Sequence, residues 1–284
     1  MNTATSGTAP AVGIEIHSIP LGEYMVYFDW ISEGLYLLNG NENEPDQRVV
    51  NHWGVLSPDT ERLAFITENT ILSLIDLEGD LLTQVPLNLS CDNDPSWSKN
   101  GDRLAIECEE NIYIFSVKDD SLIRLTSWGQ RYVDSFLSPL WSPDGSRIAY
   151  LYRNLTSLSS VPENGIYVTD AECLINLDTC REHTEGPFFP YALGGIFTWS
   201  RDSRKLAFSE DLHSIRIADL STQGESLVLD NLDGIDGLVW SPDGEWVAYS
   251  INGNIYTFSV DGGEPQLIAE DKGYLVAWVD IQAE

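Results

Sequence analysis

The sequence predicts an all-β protein, a six-bladed β-propeller whose blades are four-stranded antiparallel sheets. A ten-residue phrase carries this prediction, nearly unchanged at 141–150 (WSPDGSRIAY) and 240–249 (WSPDGEWVAY) and with more changes at 56–65, 97–106 and 199–208. The copies start 41, 44, 58 and 41 residues apart, so one interval contains an insertion. Repeats of about forty residues that consist of short strands and turns are typical of propeller blades.

The last full repeat predicts the four strands of one blade. Residues 238–240 form a short apolar strand, and Ser-Pro-Asp-Gly at 241–244 is turn chemistry, because proline presets φ and glycine accepts positive φ. A second strand at 246–250 and an alternating third strand at 255–260 follow, and 266–269 supply the fourth. The tryptophans and aspartates of this phrase repeat in other copies, and we interpret them as packing and turn residues rather than as catalytic groups.

The N-terminal region fits the same pattern from its second strand onward, since 23–50 match strands two to four of the last repeat. Two segments are candidates for the missing inner strand, 13–17 and 274–280. Trp278 lies 38 residues after Trp240, which is on schedule for a first strand. We expect the C-terminal strand to join the N-terminal blade, because this closes the ring and removes an open sheet edge. The blades then number six.

Residues 1–12 are small and polar, without the basic and apolar regions of a signal peptide. We predict that they form a disordered leader or linker and that 13–284 form a single propeller. No run approaches the roughly 18–20 apolar residues that span a bilayer. The 45 acidic and 15 basic residues give a net charge of −30, which disfavours nucleic acid and anionic membranes as partners. Cationic partners or divalent ions are favoured in a general way.

The four cysteines predict two local disulfides. Cys91 and Cys108 lie on either side of the turn at Asn100, where an antiparallel hairpin brings them together. Cys173 and Cys180 flank a predicted turn between the third and fourth strands of the inserted blade. Two disulfides indicate an oxidising compartment. A buried free thiol at Cys108 and a metal site are the alternatives, although the spacing fits no zinc pattern.

The repeat phrase W-S-x-D-G-x-x-[LIV]-A-[FY] is followed by a second phrase, GIYVTD at 165–170 and NIYIFS at 111–116. Together they resemble the repeat of TolB-type propellers over about 13–281. The same repeat occurs in propeller domains of prolyl-oligopeptidase-like peptidases and oligogalacturonate lyases. The resemblance implies a six-bladed propeller, frequently periplasmic or extracellular, that binds proteins through a loop face or the channel mouth. TolB has an additional N-terminal domain with no counterpart expected here, so a role in the Tol envelope system is not expected.

Catalytic motifs are missing from the sequence. It has no G-x-S-x-G nucleophile elbow, no His-Glu-x-x-His motif and no glycine-rich phosphate loop. A lyase would need clustered metal-binding histidines, and only His17, His52, His183 and His213 are present. We therefore expect a non-catalytic protein-interaction or assembly module. The alternative is a carbohydrate-active, lyase-like or metal-assisted enzyme with its site in the channel.

The loops that enter the first strands border one mouth of the channel, and we expect partner contacts there from His52 and Trp53. The same loops hold Asp92, Asp94, Asp134 and Asp236, whose carboxylates could bind Ca²⁺ through oxygen ligands. With 45 acidic residues in the chain, a merely acidic mouth is the alternative. No other cofactor is expected.

The insertion of about seventeen residues lies within 151–195. It contains the aromatic residues Phe188, Phe189 and Tyr191, which we expect to contact a partner, as exposed apolar patches often do. The alternative is that this loop fills a gap between blades. Trp128 is a similar candidate. The predicted location is extracellular or periplasmic, with cell-surface anchoring through an N-terminal segment that has been removed.

Overall fold

The computed structural model of the protein describes residues 22–38, 46–50, 53–91, 95–126, 134–154, 164–189, 195–209, 211–222 and 224–281. Within these ranges, 24 strands form six antiparallel sheets of four strands each. The predicted six-bladed propeller is therefore confirmed. Two short 3-10 helices, Ala171–Ile175 and Leu177–Thr179, lie in one connection. No helix in the described ranges has the length and apolar character that crossing a membrane would require.

Each blade contributes one strand to the centre of the ring, and the other three follow outward. From the inner to the outer strand, blade 1 contains β24 (Tyr274–Ile281), β1 (Gly22–Asp29), β2 (Gly34–Leu37) and β3 (Gln47–Val50); blade 2 contains β4 (Val55–Leu56), β5 (Arg62–Thr67), β6 (Ile71–Asp76) and β7 (Leu81–Pro86); and blade 3 contains β8 (Ser96–Trp97), β9 (Arg103–Cys108), β10 (Asn111–Ser116) and β11 (Ser121–Arg124). Blade 4 contains β12 (Asp134–Trp141), β13 (Arg147–Asn154), β14 (Gly165–Asp170) and β15 (Thr184–Phe188); blade 5 contains β16 (Phe197–Trp199), β17 (Lys205–Ser209), β18 (Ile215–Asp219) and β19 (Gly224–Leu229); and blade 6 contains β20 (Gly237–Trp240), β21 (Trp246–Ile251), β22 (Asn254–Ser259) and β23 (Gln266–Ala269).

The last strand of the chain closes the ring. β24 pairs antiparallel with β1, with Met25 opposite Trp278 and Tyr24 opposite Val279. The C-terminal strand is thus the inner strand of the N-terminal blade, as predicted. The competing segment 13–17 and the predicted leader 1–12 lie outside the described residues.

The repeated Ser-x-Asp phrase forms the turn between the first and second strands. In blade 6 the backbone N–H of Trp246 donates to Ser241 Oγ at 2.9 Å, and the N–H of Glu245 donates to Asp243 Oδ1 at 2.9 Å. The Ser241 hydroxyl also donates to Asp243 Oδ1, and the same serine–aspartate hydrogen bond is present in blades 2, 4 and 5. These carboxylates therefore satisfy turn N–H groups, which explains why the phrase recurs.

The apolar core of the described residues consists of six clusters, one between each pair of neighbouring blades. The tryptophans that end the inner strands belong to these clusters and are buried. Two also link blades by hydrogen bonds: Trp97 Nε1 donates to the carbonyl of Val55 at 2.9 Å, and Trp199 Nε1 donates to that of Leu140 at 3.1 Å. The tryptophans thus hold neighbouring blades together.

Both predicted cysteine pairs form disulfides. Cys91 pairs with Cys108, and Cys173 pairs with Cys180. All four side chains are buried, and the described residues contain no free cysteine.

Candidate functional site

The connections between strands lie on two opposite faces of the ring. The connections that lead from the fourth strand of one blade to the first strand of the next lie on the same side as the connections between second and third strands, because the two kinds are joined by hydrogen bonds. The Lys272 N–H donates to the Gly253 carbonyl at 2.8 Å, and the Cys91 N–H donates to the Asn69 carbonyl at 2.7 Å. We call this side the mouth face. The remaining connections, including the Ser-x-Asp turns, form the opposite side, which we call the turn face.

A cavity of about 300 Å³ lies on the propeller axis. All six inner strands contribute to its wall, through Val55, Ser96, Leu140, Phe197, Val239 and Val276 among others. Most of the lining side chains are apolar, and none of the described lining residues is acidic. The channel wall therefore suits an apolar group better than a cation.

Aromatic rings from blades 1 and 2 lie on one side of the entrance of this cavity. Trp53 and Tyr274 line the cavity and contact each other edge to face, with ring centroids 5.3 Å apart. Trp30 stacks on Trp53 with centroids 5.7 Å apart, and Phe28 contacts both indoles at 4.8 and 5.0 Å. We call Phe28, Trp30, Trp53 and Tyr274 the aromatic mouth cluster. Its outer member, Trp30, is 65% exposed, and the adjacent Ile31 is 96% exposed.

The turn that presents Trp30 and Ile31 is fixed by hydrogen bonds. Asp29 accepts from the Ile31 N–H at 2.9 Å and from Ser32 Oγ at 2.6 Å. Arg48 Nη2 donates to the Ser32 carbonyl at 2.7 Å. The hydroxyl of Ser32, followed by backbone N–H groups, holds the pKa of Asp29 below its ordinary value, so the carboxylate stays charged at neutral pH. The turn is thus ordered before any partner binds, which lowers the entropic cost of binding.

A β-bulge shapes the wall of the cavity on the side of blade 4. The pairing of β12 with β13 shifts between Leu137 and Leu140, and Ser138 adopts a positive φ of 52°. The backbone N–H of Ser138 donates to the buried Glu107 carboxylate of blade 3 at 2.8 Å. Ser138 and Pro139 both line the cavity. Bulges are common beside binding sites because they redirect side chains.

Of the predicted contact residues, the structure places Trp53 in the aromatic mouth cluster. His52, Trp128 and Tyr191 lie outside the described residues. The sequence analysis did not predict a partner contact for the other members of the cluster or for Ile31. One signal could have found them: the second-to-third turn of blade 1 reads Trp-Ile-Ser-Glu, whereas that of blade 2 reads Glu-Asn-Thr and that of blade 6 Asn-Gly.

The predicted calcium ligands are described only in part. Asp92 and Asp94 lie outside the described residues, as does the side chain of Asp134. The Asp236 carboxylate accepts a hydrogen bond from Ser250 Oγ. Among the described side chains, no group of three or more histidines, cysteines or acids is arranged to hold a metal ion.

The expectation that Phe188 and Phe189 are exposed to a partner is wrong. Both rings are buried between blades 4 and 5, and Phe189 stacks on Phe208 with centroids 5.0 Å apart. Trp199 belongs to the same cluster. The aromatic tract therefore fills the space between two blades, as the alternative interpretation expected. Burying two large rings there is favourable because it removes apolar area from water.

Comparison with solved structures agrees with this architecture. The chain matches TolB from Acinetobacter baumannii with a TM-score of 0.63 and 19% identity, over 90% of this chain and 66% of that one. It matches a protein described as TolB from Agrobacterium tumefaciens at 0.59 and 17% identity, over 90% and 92%. It also matches the β-propeller domain of Cps50 (Swd1) from Myceliophteria thermophila at 0.56 and 14%, over 89% and 88%.

The likeness to TolB confirms the predicted TolB-type propeller at the level of the fold. The chain spans less than two thirds of the Acinetobacter baumannii protein. No protein-family model matches the chain. No curated protein matches it either.

Proposed function

We propose that this propeller is a non-catalytic protein-interaction module that binds its partner through the mouth face. The observation that carries the proposal is the exposure of Trp30 and Ile31 on a hydrogen-bonded turn beside an apolar cavity. Trp30 and Ile31 are adjacent and Trp30 stacks on Trp53, so together they form a contiguous exposed apolar patch of the kind that marks interaction surfaces. The likeness to TolB supports a protein-binding role for the fold.

The residue types at the mouth suit a binding hot spot. Tryptophan is enriched among residues whose truncation weakens binding by about 2 kcal/mol or more. Trp30 stands on Trp53, so its ring is supported from beneath and needs little ordering when a partner covers it. The cavity behind the cluster offers room for an apolar side chain of the partner.

The charge of the chain favours a cationic partner. At −30, the protein attracts positively charged surfaces over a distance set by ionic strength. The association rate is therefore expected to fall as salt is added, while the apolar contacts at the mouth set the dissociation rate.

The two disulfides support an extracellular or periplasmic location, because such bonds persist in oxidising compartments. Envelope and culture fractions are therefore the places to look for the partner.

The test is capture of a partner from envelope and culture fractions of the source organism by the immobilised protein. The Trp30→Ala/Ile31→Asp double variant is expected to lose at least about tenfold in capture. The matched control is Leu81→Ala/Leu82→Asp on β7, since both leucines are also at least half exposed but lie on the outer strand of blade 2. Equal capture by both variants would overturn the proposal.

A further inference from the structure

Blade 4 has an unusually long connection on the turn face. Between β14 and β15 the chain takes thirteen residues, 171–183. The corresponding connections of blades 2, 3, 5 and 6 have four to six residues. The Ala171 N–H donates to the Ser146 carbonyl at 2.8 Å, which places the connection beside the Ser-x-Asp turn of its own blade. It therefore lies on the face opposite the aromatic mouth cluster.

The base of this connection is anchored. The disulfide between Cys173 and Cys180 closes a short ring that spans both 3-10 helices, and both cysteines are buried between blades 3 and 4. Leu174 and Leu177 pack partly buried against the same cluster. Thr184 Oγ1 also donates to the Cys180 carbonyl at 2.7 Å. The ring is thus held in place by a covalent bond, apolar packing and a hydrogen bond.

The tip of the connection, in contrast to its base, is exposed to solvent. Ile175 is 89% exposed, which only Ile31 exceeds among the large apolar residues that the structure describes. The exposed residues near it in sequence include one base, Arg181, and one amide, Asn176, but acids outnumber them: Asp170, Glu172, Asp178 and Glu182. Ile175 therefore offers a partner an apolar side chain on a loop whose position is fixed before binding, which lowers the entropic cost of association.

We propose that residues 171–183 form a second interaction surface, which inserts Ile175 into an apolar pocket of a protein partner whose pocket is bordered by lysine or arginine side chains. The disulfide orders the loop before binding, so little conformational entropy is lost on association. The acidic neighbours of Ile175 complement a basic rim and disfavour an acidic one. This surface is separate from the proposed function at the mouth face.

The test begins with a photo-crosslinking residue in the full chain, expressed in its own organism. Ile175→p-benzoylphenylalanine is expected to give a crosslinked protein that is not obtained with Leu81→p-benzoylphenylalanine. Leu81 is the control because it is an exposed apolar residue, 58% accessible, away from the disulfide-closed ring. No product above that control would overturn the proposal.

The crosslinked protein is then purified and its binding is measured with three variants of the chain. Ile175→Asp is expected to weaken binding at least about tenfold, and Cys173→Ser/Cys180→Ser is expected to weaken it several-fold because the loop must then be ordered on binding. Trp30→Ala/Ile31→Asp is expected to bind as the wild type does, which separates this surface from the mouth face. Wild-type affinity in Ile175→Asp, with an unchanged melting temperature, would overturn the proposal, as would a contact surface without basic residues.

Discussion

Lys272 Nζ lies 2.6 Å from Asp46 Oδ2, although 226 residues separate the two in the chain. Lys272 precedes β24 and Asp46 precedes β3, so the ion pair joins the two ends of the propeller within blade 1. The Tyr27 hydroxyl donates to the same carboxylate oxygen at 2.7 Å. Burial, and then this carboxylate, raise the pKa of Tyr27 well above its ordinary value, so the phenol keeps its proton and remains a donor.

Removing the lysine from this pair is expected to weaken ring closure. In Lys272→Met the Asp46 side chain, which is only 7% exposed, loses the Lys272 ammonium group. We expect the free energy of unfolding to fall by about 1–3 kcal/mol, since a nearly buried carboxylate loses one of its charged hydrogen-bond donors where water is scarce. Urea unfolding measures the change. Lys118→Met is the control, because Lys118 is an exposed lysine on a turn, and an equal loss there would contradict the prediction.

A glycine at the start of the closing strand is expected to tolerate no side chain. At Gly273 a Cβ would lie 2.1 Å from the Phe28 carbonyl oxygen, and φ is +134°. Gly263 has a similar φ of +125° but nothing within 4 Å of the same position. Gly273→Ala should therefore cost about 2 kcal/mol more than Gly263→Ala, because both pay for the backbone but only the first clashes. Similar melting temperatures for the two variants would show that β24 does not lie where the structure places it.

The two tryptophans that end β8 and β12 are expected to respond differently to phenylalanine. Trp97→Phe removes the hydrogen bond to the Val55 carbonyl, which links blades 3 and 2. Trp141 Nε1 is buried without a hydrogen-bond partner among the described residues, so Trp141→Phe removes packing but no hydrogen bond. The first variant should lose about 1 kcal/mol more stability than the second. Chemical unfolding of the two proteins side by side decides this, and the reverse order would refute it.

The turn aspartates are expected to make the propeller sensitive to acid. The Ser241 hydroxyl, and then the Glu245 N–H, lower the pKa of Asp243 below its ordinary value of 3.8. A carboxylate with a lowered pKa in the folded state contributes stability above the unfolded value, and that contribution is lost as the pH falls through the folded one. Asp243→Asn should therefore be less stable than the wild type at pH 7, with a difference that shrinks below about pH 4.

Melting temperatures measured from pH 7 down to pH 2.5 test this prediction. Glu78→Gln on an exposed turn is the control, and its difference from the wild type should stay small throughout. A difference for Asp243→Asn that does not change with pH would mean that the carboxylate charge does not support the turn.

The architecture could be predicted because each blade repeats the same local chemistry. The phrase at 240–249 contains a strand end, a turn and a second strand, and the schedule of tryptophans placed the C-terminal strand in blade 1. The cysteine pairs could be predicted because each pair is close in sequence across a turn, although Cys91 lies in a connection and Cys173 and Cys180 lie at two 3-10 helices rather than on paired strands. These features depend on residues that are close in sequence or periodic along it.

The functional surface was harder to predict because it depends on which residues meet across blades. Trp53 was identified from its loop, but Trp30 reaches it only when blades 1 and 2 stand side by side. Phe188 and Phe189 belong to a tract that sequence analysis predicted to be an exposed loop, yet both side chains are buried between blades 4 and 5. The size of such a gap is a tertiary property that no sequence pattern reports. The exposure of Ile175 likewise could not be predicted from the sequence, because it depends on how the ring closed by Cys173 and Cys180 packs against the blades.

Hydrogen exchange of the protein, alone and with the partner captured from envelope or culture fractions, shows directly whether the mouth face is the binding surface. We expect exchange to slow in three segments that meet at the cavity entrance: 28–34, 53–56 and 274–276. Unchanged exchange in all three segments, with protection on the outer strands or the turn face instead, would show that the partner does not bind at the mouth face.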